Sequence, residues 1–248
     1  MRRLLALLLT LFSLSLHADD GKQIVDRMTQ KLRGHANVAS YEITVYRPTW
    51  SRTIRIKAWD DRARKRFFIR ILDPPKDAGI SFLRIGYNLW NYLPKVEKVM
   101  KIPPSMMLQP WMGSDFTNDD LVKESSYVED YDQRLVATEL REGERVQKIE
   151  LTPYPNAPVV WGKVVFWVRM DDLPVEEQFF DEKGLLVKEL RFQEFKQMDG
   201  VLTPTFWEMK AITKEGQRTT IRTLAIDFDP SPPIPDSVFT AGHFTRGD

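Results

Sequence analysis

A period-two alternation of apolar and charged residues returns in segment after segment of this chain and restricts its fold more than anything else. Ile54, Ile56 and Ala58 alternate with Arg55 and Lys57, and Phe67, Ile69 and Ile71 alternate with Arg66 and Arg70. Successive side chains of a strand point to opposite faces, so the pattern places one face on a core and one in water. Besides 41–50 and these two segments, strands are expected at 80–85, 87–93, 95–102, 125–130, 133–141, 145–152, 161–170, 174–181, 185–196, 204–213 and 218–228. Glu142-Gly143, Asp181 to Gly184, Asp199-Gly200 and Lys214 to Gly216 supply hairpin chemistry between them. Everything from about 133 onward therefore reads as an antiparallel meander. Helical spacing marks the segment before the strands, where Ile24, Val25, Met28 and Leu32 follow a capping Asp19 or Asp20 and precede Gly34. A second, short helix is expected after Thr117, because Thr117-Asn-Asp-Asp120 resembles a capping box with Asp in place of Glu.

The N-terminus sets the expected compartment. Arg2 and Arg3 precede an apolar run from Leu4 to Leu16, and Ala18 precedes the first acidic residue. Charge, apolar run and small residue in that order describe a secretory signal peptide, 1–18, cleaved after Ala18. The run falls short of the roughly 20 residues a spanning helix needs. The remainder, 19–248, is expected to be one periplasmic, soluble domain, large enough to bury a core without staples. The chain has no cysteine, so it has no disulfide and no N-terminal Cys to lipidate. Net charge is +1, without the basic excess of a nucleic-acid binder.

Catalytic and metal chemistry is not written in the sequence. His35 and His243 stand near opposite ends without Cys or His at ligand spacing, and no nucleophile elbow or phosphate loop occurs. The acidic doublets Asp119/Asp120, Asp171/Asp172 and Glu176/Glu177 read as helix cap, turn and two opposite strand faces. No catalytic residue, metal or cofactor is expected.

Several strands are instead apolar on both sides. Val164, Phe166, Val168 and Met170 share one face of their strand, with Trp161, Val165 and Trp167 on the other. Tyr87, Leu89 and Leu93 alternate with Trp90 and Tyr92, and Phe206 and Trp207 face opposite ways. Both faces of such a sheet must be covered. A curved sheet around too little filler leaves an apolar cavity. The loop from Ile102 to Phe116 is too apolar for an ordinary surface loop. Its Met106, Met107, Leu108, Trp111 and Met112 suit an adaptable lid, methionine being flexible and polarizable; they equally suit a plug that fills the core. With Trp90, Tyr92, Phe116, Phe166, Trp167 and Trp207 they are the candidate lipid-binding residues. The basic run Arg62-Ala-Arg64-Lys65-Arg66 reads as a solvated turn and edge strand, with contact to anionic headgroups as the functional alternative.

Several stretches resemble the LolA-like family of outer-membrane lipoprotein-sorting proteins. They are Phe68 to Pro74 with Lys76-Asp-Ala-Gly79, Leu89-Trp-Asn-Tyr-Leu-Pro94, Met112-Gly-Ser-Asp-Phe-Thr-Asn-Asp-Asp-Leu121, Trp161-Gly-Lys-Val-Val-Phe-Trp167 and Asp199-Gly200 with Pro204. The most specific is Gly113-Ser114-Asp115-Phe116, whose plain reading is a structural turn with a helix cap. The resemblance implies a mainly β chain with few helices (α+β). Its strongly curved antiparallel sheet, an open half-barrel, would be covered by the N-terminal helix and the apolar loop with its short helix. It implies a monomeric periplasmic carrier that shields a lipid or lipoprotein acyl chains, alongside an inner-membrane exporter of the ABC or RND type. An RseB-like regulatory module that binds an apolar peptide or lipid signal is the alternative, and an envelope-lipid enzyme a third.

Overall fold

The alternating segments pair into a single sheet. A computed structural model describes residues 19–123 and 127–245, and the expected leader lies outside the described residues. The strands are β1 (Ala36–Arg47), β2 (Trp50–Asp61), β3 (Arg66–Asp73), β4 (Ser81–Ile85), β5 (Asn88–Leu93), β6 (Lys98–Lys101), β7 (Tyr131–Arg141), β8 (Glu144–Pro153), β9 (Lys163–Arg169), β10 (Pro174–Phe180), β11 (Leu186–Met198), β12 (Val201–Ala211) and β13 (Arg218–Phe228). Their order is β6-β5-β4-β3-β2-β1-β13-β12-β11-β10-β9-β8-β7. Nearly every neighbour in space is a neighbour in sequence; the one long-range seam joins β1 to β13. Two α-helices, α1 (Asp19–Arg33) and α2 (Asn118–Lys123), complete this open curved sheet. Among the described residues no helix is long and apolar enough to cross a membrane.

The turn chemistry works as expected. Glu142-Gly143 and Asp199-Gly200 all take positive φ, from 49° to 84°, the conformation a two-residue hairpin needs. The segment expected as a strand at 125–130 is a turn in its described part, 127–130. Its aromatic Tyr127 packs inward on the core and does not join a ladder. The basic run is also no edge strand. Arg62 to Lys65 turn between β2 and β3, inside the sheet, and each cation has a carboxylate partner.

The concave face holds two apolar clusters. Ile24, Val25 and Met28 of α1 join Ile149, Leu151, Val164, Phe166, Val168, Phe179, Leu190, Phe192 and Met209. Ile43, Ile54, Ile56, Ile69, Ile71, Phe82 and Leu89 form the second, against Trp111 and Val122. The opposite face is covered differently in each half. Ile234, Val238, Phe239 and Phe244 of the C-terminal segment lie over Trp59, Phe68, Leu83 and Tyr92. In the other half Arg141 and Lys148 lie over Trp167 at 4.3 and 5.2 Å, and Lys163 over Phe180 at 4.7 Å. These long stems shield the rings while their charges stay wet.

Helix α1 reaches its seat through Gly21. A Cβ there would stand 2.5 Å from the backbone oxygen of Gln133 on β7. Gly21→Ala should therefore destabilise the fold by about 1–2 kcal/mol, overpacking outweighing the ~1 kcal/mol gain in helix propensity. The urea midpoint measures this; a raised midpoint would show that α1 does not press on β7.

Candidate functional site

A cavity of about 160 Å³ opens on the concave face between the two apolar clusters. Its apolar wall includes Leu32 of α1, Ile43, Ile56, Ala58 and Ile69 of β1 to β3, Leu190, Trp207, Met209 and Ile221 of β11 to β13, and Trp111, Phe116 and Leu121. These residues meet because inward positions on neighbouring strands share a face at matched register. Ile43 stands opposite Ile54 and Ile221, and Trp207 also opposite Ile221.

The lining also includes Asp60, Asp120 and Glu177, and each of these is held by a partner. Asp60 takes both Nε of Arg33, at 2.7 Å, and Nη2, at 2.5 Å, with Arg84 Nη2 3.8 Å away. Lys188 Nζ donates to Asp120 at 2.5 Å and lies over the rings of Trp161 and Phe179. Tyr127 donates to Glu177 at 2.5 Å, and burial first, then the Glu177 charge, pushes that phenol well above its ordinary range. The three carboxylates lining the cavity are thus each held by a cation or a phenol. Sequence reasoning passed over Arg33, Asp60, Arg84 and Lys188. Lys188 carried a signal: it shares the inward parity of Leu190 and Phe192.

The apolar loop crosses the concave face. Trp111 is 3% exposed and packs edge-on against Phe82, centroids 5.7 Å apart. Its indole Nε1 is buried with no hydrogen-bond partner among the described residues. Met107 and Met112 pack partly on the same cluster, whereas Met106 and Leu108 point to solvent.

The Gly113–Phe116 block fastens this loop. Asp115 accepts from Arg47 Nη1 at 3.0 Å and from Thr219 Oγ1 at 2.6 Å, and Gly113 O accepts from Arg47 Nη2 at 2.6 Å. Arg52 donates to Met112 O. Ser114 Oγ donates to Trp111 O at 2.7 Å and receives the Phe116 N–H at 3.2 Å. Thr117 and Asp120 then exchange backbone-to-side-chain bonds at 2.6 and 3.2 Å, the reciprocal cap read from the sequence. The block is a latch between the loop and the β1–β13 seam.

Of the candidate lipid-binding residues, Trp111, Phe116 and Trp207 line the cavity, and Phe166 backs it within the α1 cluster. Trp90 and Tyr92 sit on the opposite face, where Tyr92 stacks on Phe244 at 5.7 Å. Trp167 is also outward, beside Val146 and Val165, with Nε1 donating to Glu139 at 2.7 Å. Trp161 turns onto the concave side against Phe179, at 5.3 Å, because it precedes the first residue of β9 and so escapes the strand's parity. Met170, on the inward parity of β9, lies beyond its last residue and is exposed.

A family model described as "Uncharacterized protein" matches residues 63–246. A DUF1329 family protein from Desulfovibrio piger has a similar structure, with TM-score 0.84 and 24% identity over 92% of this chain and 99% of that one. A putative outer membrane lipoprotein-sorting protein domain from Vibrio parahaemolyticus gives 0.80 and 24%, over 93% and 100%. A LolA superfamily protein from Nitrosomonas europaea gives 0.76 and 20%, over 90% and 98%. At these identities the likeness is one of fold. A search of curated proteins finds no match.

Proposed function

The chain belongs to the family of uncharacterized proteins whose model matches residues 63–246, and we propose that it is a LolA-like, exported periplasmic carrier that shelters a lipid, or the acyl chains of a lipoprotein, beneath the 102–116 loop. The observation that carries this reading is the concave apolar cavity, one wall of which is Trp111 of the loop. Apolar lining welcomes a hydrocarbon tail at about 0.8 kcal/mol per methylene. A dozen carbons gain on the order of 10 kcal/mol gross, enough to hold a lipid in water after the costs of binding.

At about 160 Å³ the cavity matches sites that hold a benzene-sized guest. A whole acyl chain needs more, so the loop must lift. Its grip is Trp111, two methionines and the Asp115 latch, a small contact compared with the sheet beneath it. The carboxylates nearby are held in place by Arg33, Lys188 and Tyr127, which favours binding over hydrolysis as the work of this site. Delivery from an inner-membrane exporter belongs to the same proposal.

The test is to fill the hollow. Ala58 lines the cavity on β2, and Ala58→Phe places a ring there. Displacement of a fluorescent fatty acid should weaken by roughly tenfold or more, the worth of the methylenes excluded. Native mass spectrometry of wild-type protein taken from periplasm should release a lipid. Equal affinity in the filled variant, or no lipid in either assay, would sink the reading.

A further inference from the structure

A second hollow, of about 390 Å³, adjoins the first, and its character is the reverse. It is walled by Asp26, Thr29 and Gln30 of α1, by His35, by the β2–β3 turn with Arg62 and Lys65, and by Glu129. Tyr127 lines both hollows, so the two meet at this side chain. Helix α1 spans the pair, with Leu32 in the first and Gln30, half a turn away, in the second.

We propose that the two hollows form one amphiphile site, in which the tail occupies the apolar cavity and a zwitterionic, phosphoethanolamine-like headgroup occupies the polar one. This rests on the acyl-chain reading above and adds the class of head. The sign of the charges chooses it. Arg62 faces Asp26 at 3.0 Å and Gln30 at 2.5 Å, and Lys65 faces Glu129 at 2.5 Å. Two cations and two anions therefore surround one space, and neither sign is in excess. Asp26, Glu129 and Lys65 are each about half exposed, and ion pairs so placed contribute little. They can be exchanged for ligand contacts at small cost. A head with a phosphate and an ammonium replaces both halves of a pair: the phosphate takes Arg62 and Lys65, the ammonium takes Asp26 and Glu129. A purely anionic head would strand the carboxylates. The hollow is also within the size range of small-molecule sites.

The experiment compares heads on one tail, below their micellar concentrations: myristoyl lysophosphatidylethanolamine, myristoyl lysophosphatidylglycerol, myristic acid and free phosphoethanolamine. Wild-type protein should bind the ethanolamine lipid roughly tenfold tighter than myristic acid, one charge-assisted hydrogen bond net of the surface pair it replaces. It should prefer it to the glycerol lipid and bind free phosphoethanolamine far more weakly. The double variant Arg62→Gln, Glu129→Gln should lose the preference and keep its affinity for myristic acid, which also reports an intact fold. Glu129→Lys should turn the preference toward the anionic glycerol lipid. Equal affinity for all three amphiphiles, or preference for the glycerol lipid in wild type, would overturn the headgroup assignment and leave the apolar cavity standing. Tight binding of phosphoethanolamine alone would overturn the coupling of the two hollows. Binding of no amphiphile would overturn this inference and the carrier reading together.

Discussion

Replacing Trp111 by alanine should remove about 3–5 kcal/mol of stability, a large share of what a domain this size possesses. The indole is 3% exposed and meets Phe82 edge-on, so its loss leaves a void beneath the loop. The cost of such a void depends on whether neighbours can collapse into it. Here they are restrained. The backbone N–H of Trp111 donates to Phe116 O at 2.8 Å, and its carbonyl accepts from Ser114, so the backbone around it is bound to itself. The next residues are bound to Arg47, Arg52 and Thr219. Trp111→Phe retains a ring against Phe82 and gives up an N–H that has no partner among the described residues; it should cost far less. Urea unfolding of the two variants gives the comparison. A loss below about 1 kcal/mol for the alanine variant would mean that the ring rests on the sheet without being packed into it, and the loop would then be a surface feature, neither lid nor plug.

The ladder order was readable because it is almost wholly local. Eleven of the twelve strand pairings join strands consecutive in sequence, several through turns whose Gly and Asp residues announce themselves, and alternation gives each strand two distinguishable faces. What alternation cannot say is what lies over each face. Trp90, Tyr92 and Trp167 were rightly separated from Leu89 and Phe166 by parity, but their cover is a segment about 150 residues downstream of Tyr92, or basic stems from neighbouring strands. An apolar second face therefore did not require a second wall of the cavity. The latch was opaque for a related reason: Arg47, Asp115 and Thr219 are brought together only by the β1–β13 seam, and no local pattern records that pairing. The capping box beside it was legible, its two partners being three residues apart.

Alkaline unfolding should be unusually steep, and the cause lies beneath α1. Tyr131 has no exposed surface; burial first, then the charges of Asp119 and Glu177, raises its phenol far above the usual tyrosine range. Tyr127 is raised as well, by burial and by Glu177. Both therefore stay protonated in the fold at a pH where the unfolded chain has released them, near 10. Below that point both states hold the protons and stability does not depend on these groups. Above it the unfolded state binds fewer protons than the folded one, so stability falls as pH rises, by about 1.4 kcal/mol per unit for each phenol. The two together should remove about 2–3 kcal/mol by pH 11. Tyr131→Phe isolates the effect, because the Tyr131 hydroxyl has no hydrogen-bond partner among the described residues. Removing a buried hydroxyl of that kind is neutral or stabilising at neutral pH, and the variant should lose about half of the alkaline slope. Urea midpoints at pH 7, 9 and 11 provide the measurement. An unchanged slope in Tyr131→Phe would mean that this phenol ionises in the folded protein, and the close packing of β7 against α1 that holds it dry would have to be abandoned.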